Sequence, residues 1–266
     1  MVRFVLSLLV VWMPVLVQAA AVETRTVEYR QGDTRLVGYL ARPAEIKGPV
    51  PGVLVVHEWM GLNDYAKRRA EQLAELGYVA LAADIYGDGK VAADVAEAKA
   101  LSTQYKSDRA LLRARTAAGL EALKAQAGVD PLQVAAIGYC FGGTAVLELA
   151  RSGADLAGVV SFHGGLDTPK VQDARQIRAK VLALHGADDP YVPAAQVAAF
   201  EDEMRAAGVD WQLIAYGGAV HGFTNPANGS DNSKGAAYNA KADQRSWAAM
   251  RQFFNESFAP AGPASN

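Results

Sequence analysis

The sequence predicts an α/β domain built on a mostly parallel sheet with helices on both faces, and three observations carry that expectation. Short apolar runs bounded by turn residues recur along the chain. Most lack the polar alternation of a half-exposed strand, as expected where both faces of a sheet are covered. Between them lie stretches of helical periodicity, so that strand and helix alternate from about Thr24 onward. That alternation favours parallel crossover units within one layered domain.

The elements follow in order. TRTVEYR and RLVGYLARP read as an antiparallel pair around the Gly32-Asp33 turn. Strands are then expected at Val53–His57, Tyr78–Ala83, Val134–Gly138, Val159–His163, Val181–His185 and Trp211–Tyr216. Helical patterns cover Tyr65–Leu76, Asp108–Lys124, Thr144–Arg151, Ala195–Ala207 and Lys241–Phe254. Ser107 is placed as an N-cap, and Gly77 and Gly208 sit where helix C-caps belong. No internal repeat or linker interrupts residues 21–258, which read as a single domain. The final stretch, 259–266 (APAGPASN), has the composition of a disordered tail.

Composition narrows the function. With 51% hydrophobic residues the chain can bury a sizeable core, and a formal charge of −2 leaves no basic surface for nucleic acid. The N-terminus, MVRFVLSLLVVWMPVLVQAAA, has one positive charge, an apolar run and then small residues. This is the layout of a secretory signal over residues 1–20, cleaved near Ala19–Ala21. The run of about 14 residues is broken by Pro14 and falls short of the roughly 20 a membrane span needs. The mature protein is expected outside the cytoplasm, periplasmic or secreted, with no stable membrane insertion. Such proteins usually pair their cysteines, yet this chain has one, Cys140. A single cysteine excludes an internal disulfide, and the four histidines show no metal-ligand spacing.

The lone thiol sits in Gly138-Tyr139-Cys140-Phe141-Gly142, directly after an apolar strand and at the start of a helix. This is the G-x-nucleophile-x-G elbow, with sulfur in place of the usual hydroxyl. Glycines are needed on both flanks because the turn is sharp and closely packed. The helix N-terminus favours a negative charge at the sulfur, and the Phe141 N–H is aimed where an oxyanion would form. An acid is expected in HGADDPYVP, after the strand Val181–His185; Asp188 and Asp189 both qualify, and the spacing to Pro193 favours Asp189. His163, His185 and His221 all follow strands. The hydrolase order of nucleophile, acid, histidine selects the last, in GGAVHGF. Glu58, in VVHEWMGLND, ends the first parallel strand, and the Trp59 N–H in the same loop is the candidate second oxyanion donor. Tyr86, Tyr139, Tyr191 and Phe223, with Trp59, are candidate walls of an apolar substrate pocket.

At GYCFGG, HEWMGL, ADIYG, GADDPYVP and VHGF the chain resembles the dienelactone hydrolase family, in order and over roughly Val27 to Phe258. The resemblance implies an α/β-hydrolase fold, a Cys140-His221-Asp189 triad and no metal or cofactor. It also gives Glu58 the place of a glutamate that interacts with the thiol before substrate arrives. The expected substrate is a small ester, lactone or thioester, cleaved through an acyl-cysteine. The chain departs from the family where arginines would hold a substrate carboxylate: Asp84-Ile85-Tyr86-Gly87-Asp88 and His221-Gly222-Phe223-Thr224-Asn225 contain none. A rival reading is a non-catalytic or redox-responsive protein that uses Cys140 as a thiol switch; it needs no aligned acid and histidine.

Overall fold

β1 (Val22–Gln31) and β2 (Thr34–Pro43) form an antiparallel hairpin paired from Val22 opposite Pro43 to Gln31 opposite Thr34. Gly32, at φ 56°, makes its tight turn. The structure, a computed structural model, describes residues 21–258. The expected signal segment and the tail lie outside the described residues.

Next come β3 (Val50–Val56), α1 (Asp64–Glu75), β4 (Val79–Ala83), α2 (Val95–Ser107) and α3 (Arg109–Lys124). β5 (Val129–Tyr139), α4 (Phe141–Arg151), β6 (Gly158–Phe162) and β7 (Lys180–Gly186) follow. The chain closes with α5 (Ala194–Ala207), β8 (Trp211–Tyr216) and α6 (Ala240–Ser257). The eight strands make one sheet in the order β1-β2-β4-β3-β5-β6-β7-β8, parallel from β4 onward. β2 meets β4 antiparallel.

The apolar runs are explained by two cores. Leu54 and Val56 face the side covered by α3 and α4, where Leu112, Leu120 and Val146 pack, while Val53 and Val55 face Ala66, Leu73, Met250 and Phe253 of α1 and α6. Successive side chains point to opposite faces, so a strand buried on both needs an unbroken apolar run.

Three details differ from the sequence reading. α2 was not expected; it is capped by Asp94, whose side chain accepts from Glu97 N–H while Glu97 accepts from Ala93 N–H. Ser107 is therefore the last residue of α2, and Asp108 caps α3 by accepting from Leu111 N–H. α4 begins at Phe141 rather than Thr144, because Cys140 itself occupies the cap position. No helix among the described residues is long and apolar enough to cross a membrane.

Candidate active site

The carboxyl ends of the parallel strands bring the candidate residues to one edge of the sheet. Cys140 links β5 to α4 with φ 54° and ψ −113°, a conformation rare for a residue with a side chain. The glycines around it are forced by contact. A Cβ on Gly138 would overlap the Gly142 carbonyl, and one on Gly142 would overlap the Val56 carbonyl of the neighbouring strand.

His221 lies in the loop after β8, tied down by its N–H on Gly235 O and its carbonyl on Ala237 N–H. Its Nε2 is 3.1 Å from Cys140 Sγ, and its Nδ1 is 2.7 Å from Asp189 Oδ2. The carboxylate accepts only, so Nδ1 carries the proton and Nε2 is free to receive one from sulfur. The second Asp189 oxygen accepts from Tyr191 N–H, which fixes the carboxylate plane. Asp188 points elsewhere: its Oδ2 accepts from Gly218 N–H and pins the turn ahead of His221. Of the two adjacent acids, only Asp189 meets the ring. Burial disfavours charge on His221, but negative charge at Cys140 and the Asp189 carboxylate outweigh it and hold the imidazole well above its ordinary value.

Glu58 is buried beside this line without joining it. Its Oε2 accepts from Asn225 Nδ2 at 2.6 Å, and Asn225 Oδ1 accepts from Ala227 N–H, so the amide presents its donor to the acid. Burial raises the Glu58 carboxyl above its usual range, opposed by the Asn225 hydrogen bond and by the charges of His221 and Arg69. Among the described residues no hydrogen bond joins Glu58 to the thiol; sulfur hydrogen-bonds His221.

The loop after β3 is ordered by a histidine that sequence reasoning did not single out. His57 Nδ1 donates to Glu58 O at 2.6 Å, while Nε2 accepts from Ile85 N–H at 3.4 Å. Glu58 C=O and Trp59 N–H share one peptide plane, so His57 sets the direction of that N–H. Among the described residues neither Trp59 N–H nor Phe141 N–H has a protein acceptor. Phe141 N–H is an orphan of the first helical turn.

The proposed pocket walls divide. Tyr191 is 60% exposed and stands edge-on to His221 with centroids 5.3 Å apart. Tyr86 donates to Trp59 O at 2.8 Å, and Trp59 is half-buried. Tyr139 and Phe223 are completely buried and belong to the core on the α1–α6 face. Tyr139 stacks on Phe162, and Phe223 packs between His163 and Tyr216. Their residue type suggested a pocket, but strand alternation turns Tyr139 away from the side where Cys140 lies. Among the described residues no group of three or more His, Cys, Asp or Glu side chains converges as metal ligands would.

Comparison with known proteins places the chain in a family. Residues 36–258 match the model of the dienelactone hydrolase family. The crystal structure of P91, a dienelactone hydrolase-like promiscuous phosphotriesterase from metagenomic libraries, is 48% identical. It superposes with a TM-score of 0.86 over 90% of this chain and all of its own. A putative carboxymethylenebutenolidase of Yersinia pestis is 29% identical over 237 residues, 85% of either chain. A probable 2-oxo-3-(5-oxofuran-2-ylidene)propanoate lactonase of Bradyrhizobium is 32% identical over 202 residues, covering 72% of this chain and 80% of that protein. The chain belongs to the dienelactone hydrolase family, and so to the hydrolases of ester and lactone bonds.

Proposed function

We propose that this protein is a cysteine-nucleophile hydrolase of small esters, lactones or thioesters, working through an acyl-cysteine. The single observation that carries the proposal is the line Sγ–Nε2–Nδ1–Oδ2, with heavy-atom gaps of 3.1 Å and 2.7 Å at its two hydrogen bonds. Cys140 sulfur attacks the carbonyl carbon as its proton passes to His221 Nε2. The carbonyl oxygen becomes an oxyanion facing the free N–H groups of Phe141 and Trp59. Collapse breaks the C–O bond, and the leaving alkoxide takes the proton from His221. Water then gives a proton to His221 and its oxygen to the acyl carbon, releasing acid and restoring the thiol. Asp189 keeps the ring in the required tautomer and stabilises its cationic form.

The apparatus needs no metal, and the exposed Tyr191 with half-buried Trp59 supports an apolar acyl or alcohol group at the mouth. The leader-like residues 1–20 support export through a cleavable signal, which the mass of protein recovered from an envelope fraction would test. The decisive experiment compares wild type with Cys140→Ala on neutral esters, lactones, a thioester and, given the name of the 48%-identical relative, a phosphotriester. Loss of nearly all turnover in a folded variant is expected; retained turnover would remove Cys140 as the nucleophile, and absence of turnover in the wild type would return the protein to the thiol-switch reading.

A further inference from the structure

We propose that His163 is a positioning residue that holds the Cys140 elbow and the His221 loop in register, an inference that rests on the hydrolase reading above. His163 follows β6 and is wholly buried. Its φ of 40° is a left-handed conformation that a non-glycine residue keeps only when its surroundings over-determine it. What they determine is the ring. Nδ1 lies 3.1 Å from the Cys140 backbone nitrogen, which can only donate and shares its N–H with Phe162 O at 3.0 Å, so Nδ1 is an acceptor and the proton resides on Nε2. That N–H meets Thr224 Oγ1 at 2.7 Å.

Thr224 belongs to the loop that carries His221, and α1 holds it twice. Its hydroxyl is 2.6 Å from Tyr65 Oη, and its carbonyl accepts from Arg69 Nη2 at 2.9 Å. Arg69 is itself anchored by Asp243 at 2.6 Å and donates to Tyr65 Oη. A continuous chain thus runs from α1 through Thr224 and His163 to the backbone of the nucleophile. The imidazole is rigid, with its acceptor and donor at fixed separation, so its width sets the gap between the two loops. That gap is the one spanned by the Sγ–Nε2 hydrogen bond.

The ring must remain neutral while His221, 5.4 Å away between centroids, becomes charged. A proton on Nδ1 would confront the Cys140 N–H. Burial, and then the charges of His221 and Arg69, hold His163 well below an ordinary imidazole. Nδ1 therefore stays an acceptor through the cycle.

The test uses Thr224→Val, which removes the hydroxyl at nearly constant volume, and Thr224→Ser, which keeps it. With kcat normalised to titrated thiol, Thr224→Val should lose about tenfold with KM within about twofold, and Thr224→Ser should recover most of it. Iodoacetamide alkylation of Cys140 should slow in parallel, and His163→Asn added to Thr224→Val should cost little more than the larger single loss. Should Thr224→Val fail to fold, Tyr65→Phe serves instead, with an intermediate loss in kcat. Wild-type kcat per thiol and wild-type alkylation in whichever variant folds, with only a lower Tm, would overturn the proposal. So would losses that simply multiply. Alkylation needs no substrate: a slowed thiol in variants of a protein without esterase activity would sink the hydrolase reading and leave the positioning role standing.

Discussion

The Glu58 carboxylate is held by the side-chain amide of Asn225 at 2.6 Å, while the Cys140 sulfur faces His221. A buried acid has thus been given a neutral donor rather than a cation. Arg69 does not fill that place, because its guanidinium is committed to Asp243, Tyr65 and the Thr224 carbonyl. Glu58 is therefore costly to ionise, and the cost appears as pH dependence.

A carboxyl raised in the folded state stabilises the fold fully below its ordinary value of 4.5 and loses that contribution as pH rises through the folded value. Glu58→Gln is neutral throughout and can still accept from Asn225. Its Tm relative to wild type should rise as the pH climbs above about 4.5 and level off once the folded carboxyl has ionised. A flat or falling difference would mean that the protein favours the ionised acid.

The two adjacent acids should separate sharply. Asp189→Asn leaves the shape intact but lets the ring adopt the wrong tautomer, and kcat should fall on the order of 10³- to 10⁴-fold. Asp188→Asn weakens only the Gly218 turn and should keep kcat within about threefold, with a loss of stability of about 1 kcal/mol. Steady-state kinetics of both variants decide the assignment; comparable losses would contradict it.

His57 should matter to rate more than to binding. His57→Phe keeps a ring against Phe141 and Tyr86 but removes the donor to Glu58 O, loosening the peptide that carries Trp59 N–H. A fall in kcat of about 10- to 100-fold with little change in KM is expected, less than the full loss of an oxyanion donor. His57→Asn, which retains an N–H near the δ position, should recover part of it. An unchanged kcat would detach Trp59 N–H from the oxyanion.

Neutral short-chain esters should show a higher kcat/KM than anionic lactones. Cations near the two departing motifs are already engaged: Arg69 with Asp243, Lys90 with Glu97, Arg35 with Glu28 and Asp88. A substrate carboxylate would then be desolvated without a partner. A matched pair of neutral and carboxylate-bearing esters measures this directly, and preference for the anion would mean that one of these pairs opens on binding.

The sheet was legible because burial on both faces leaves a mark in the chain: Val53–Val56 and Val134–Ile137 are unbroken apolar runs. The elbow was legible because Gly138 and Gly142 have steric duties that no other residue meets. α2 was missed because it buries only Ala98, Ser102 and Tyr105, a stripe too small and too polar to register, although the Asp94–Glu97 capping pair was readable. Tyr139 was misplaced because aromatic type was read without strand face, and Phe223, in the loop after β8, because residue type does not show which way a loop folds. Asn225 and His57 carry no local pattern, and His163 only that of a histidine at a strand end. Their significance is which long-range partner each reaches, and that is a property of the assembled loops.

From β5 onward the order of strands in the sheet equals their order in the sequence. On the proposed mechanism, a ribosome making this chain therefore delivers the nucleophile first, the acid two strands later and the proton acceptor last. Until β8 and its loop have emerged, the Cys140 sulfur lacks the His221 imidazole that would take its proton. The proposed chemistry is thus switched on by completion of the far edge of the sheet, and a chain truncated before His221 would lack it as well as being incompletely folded.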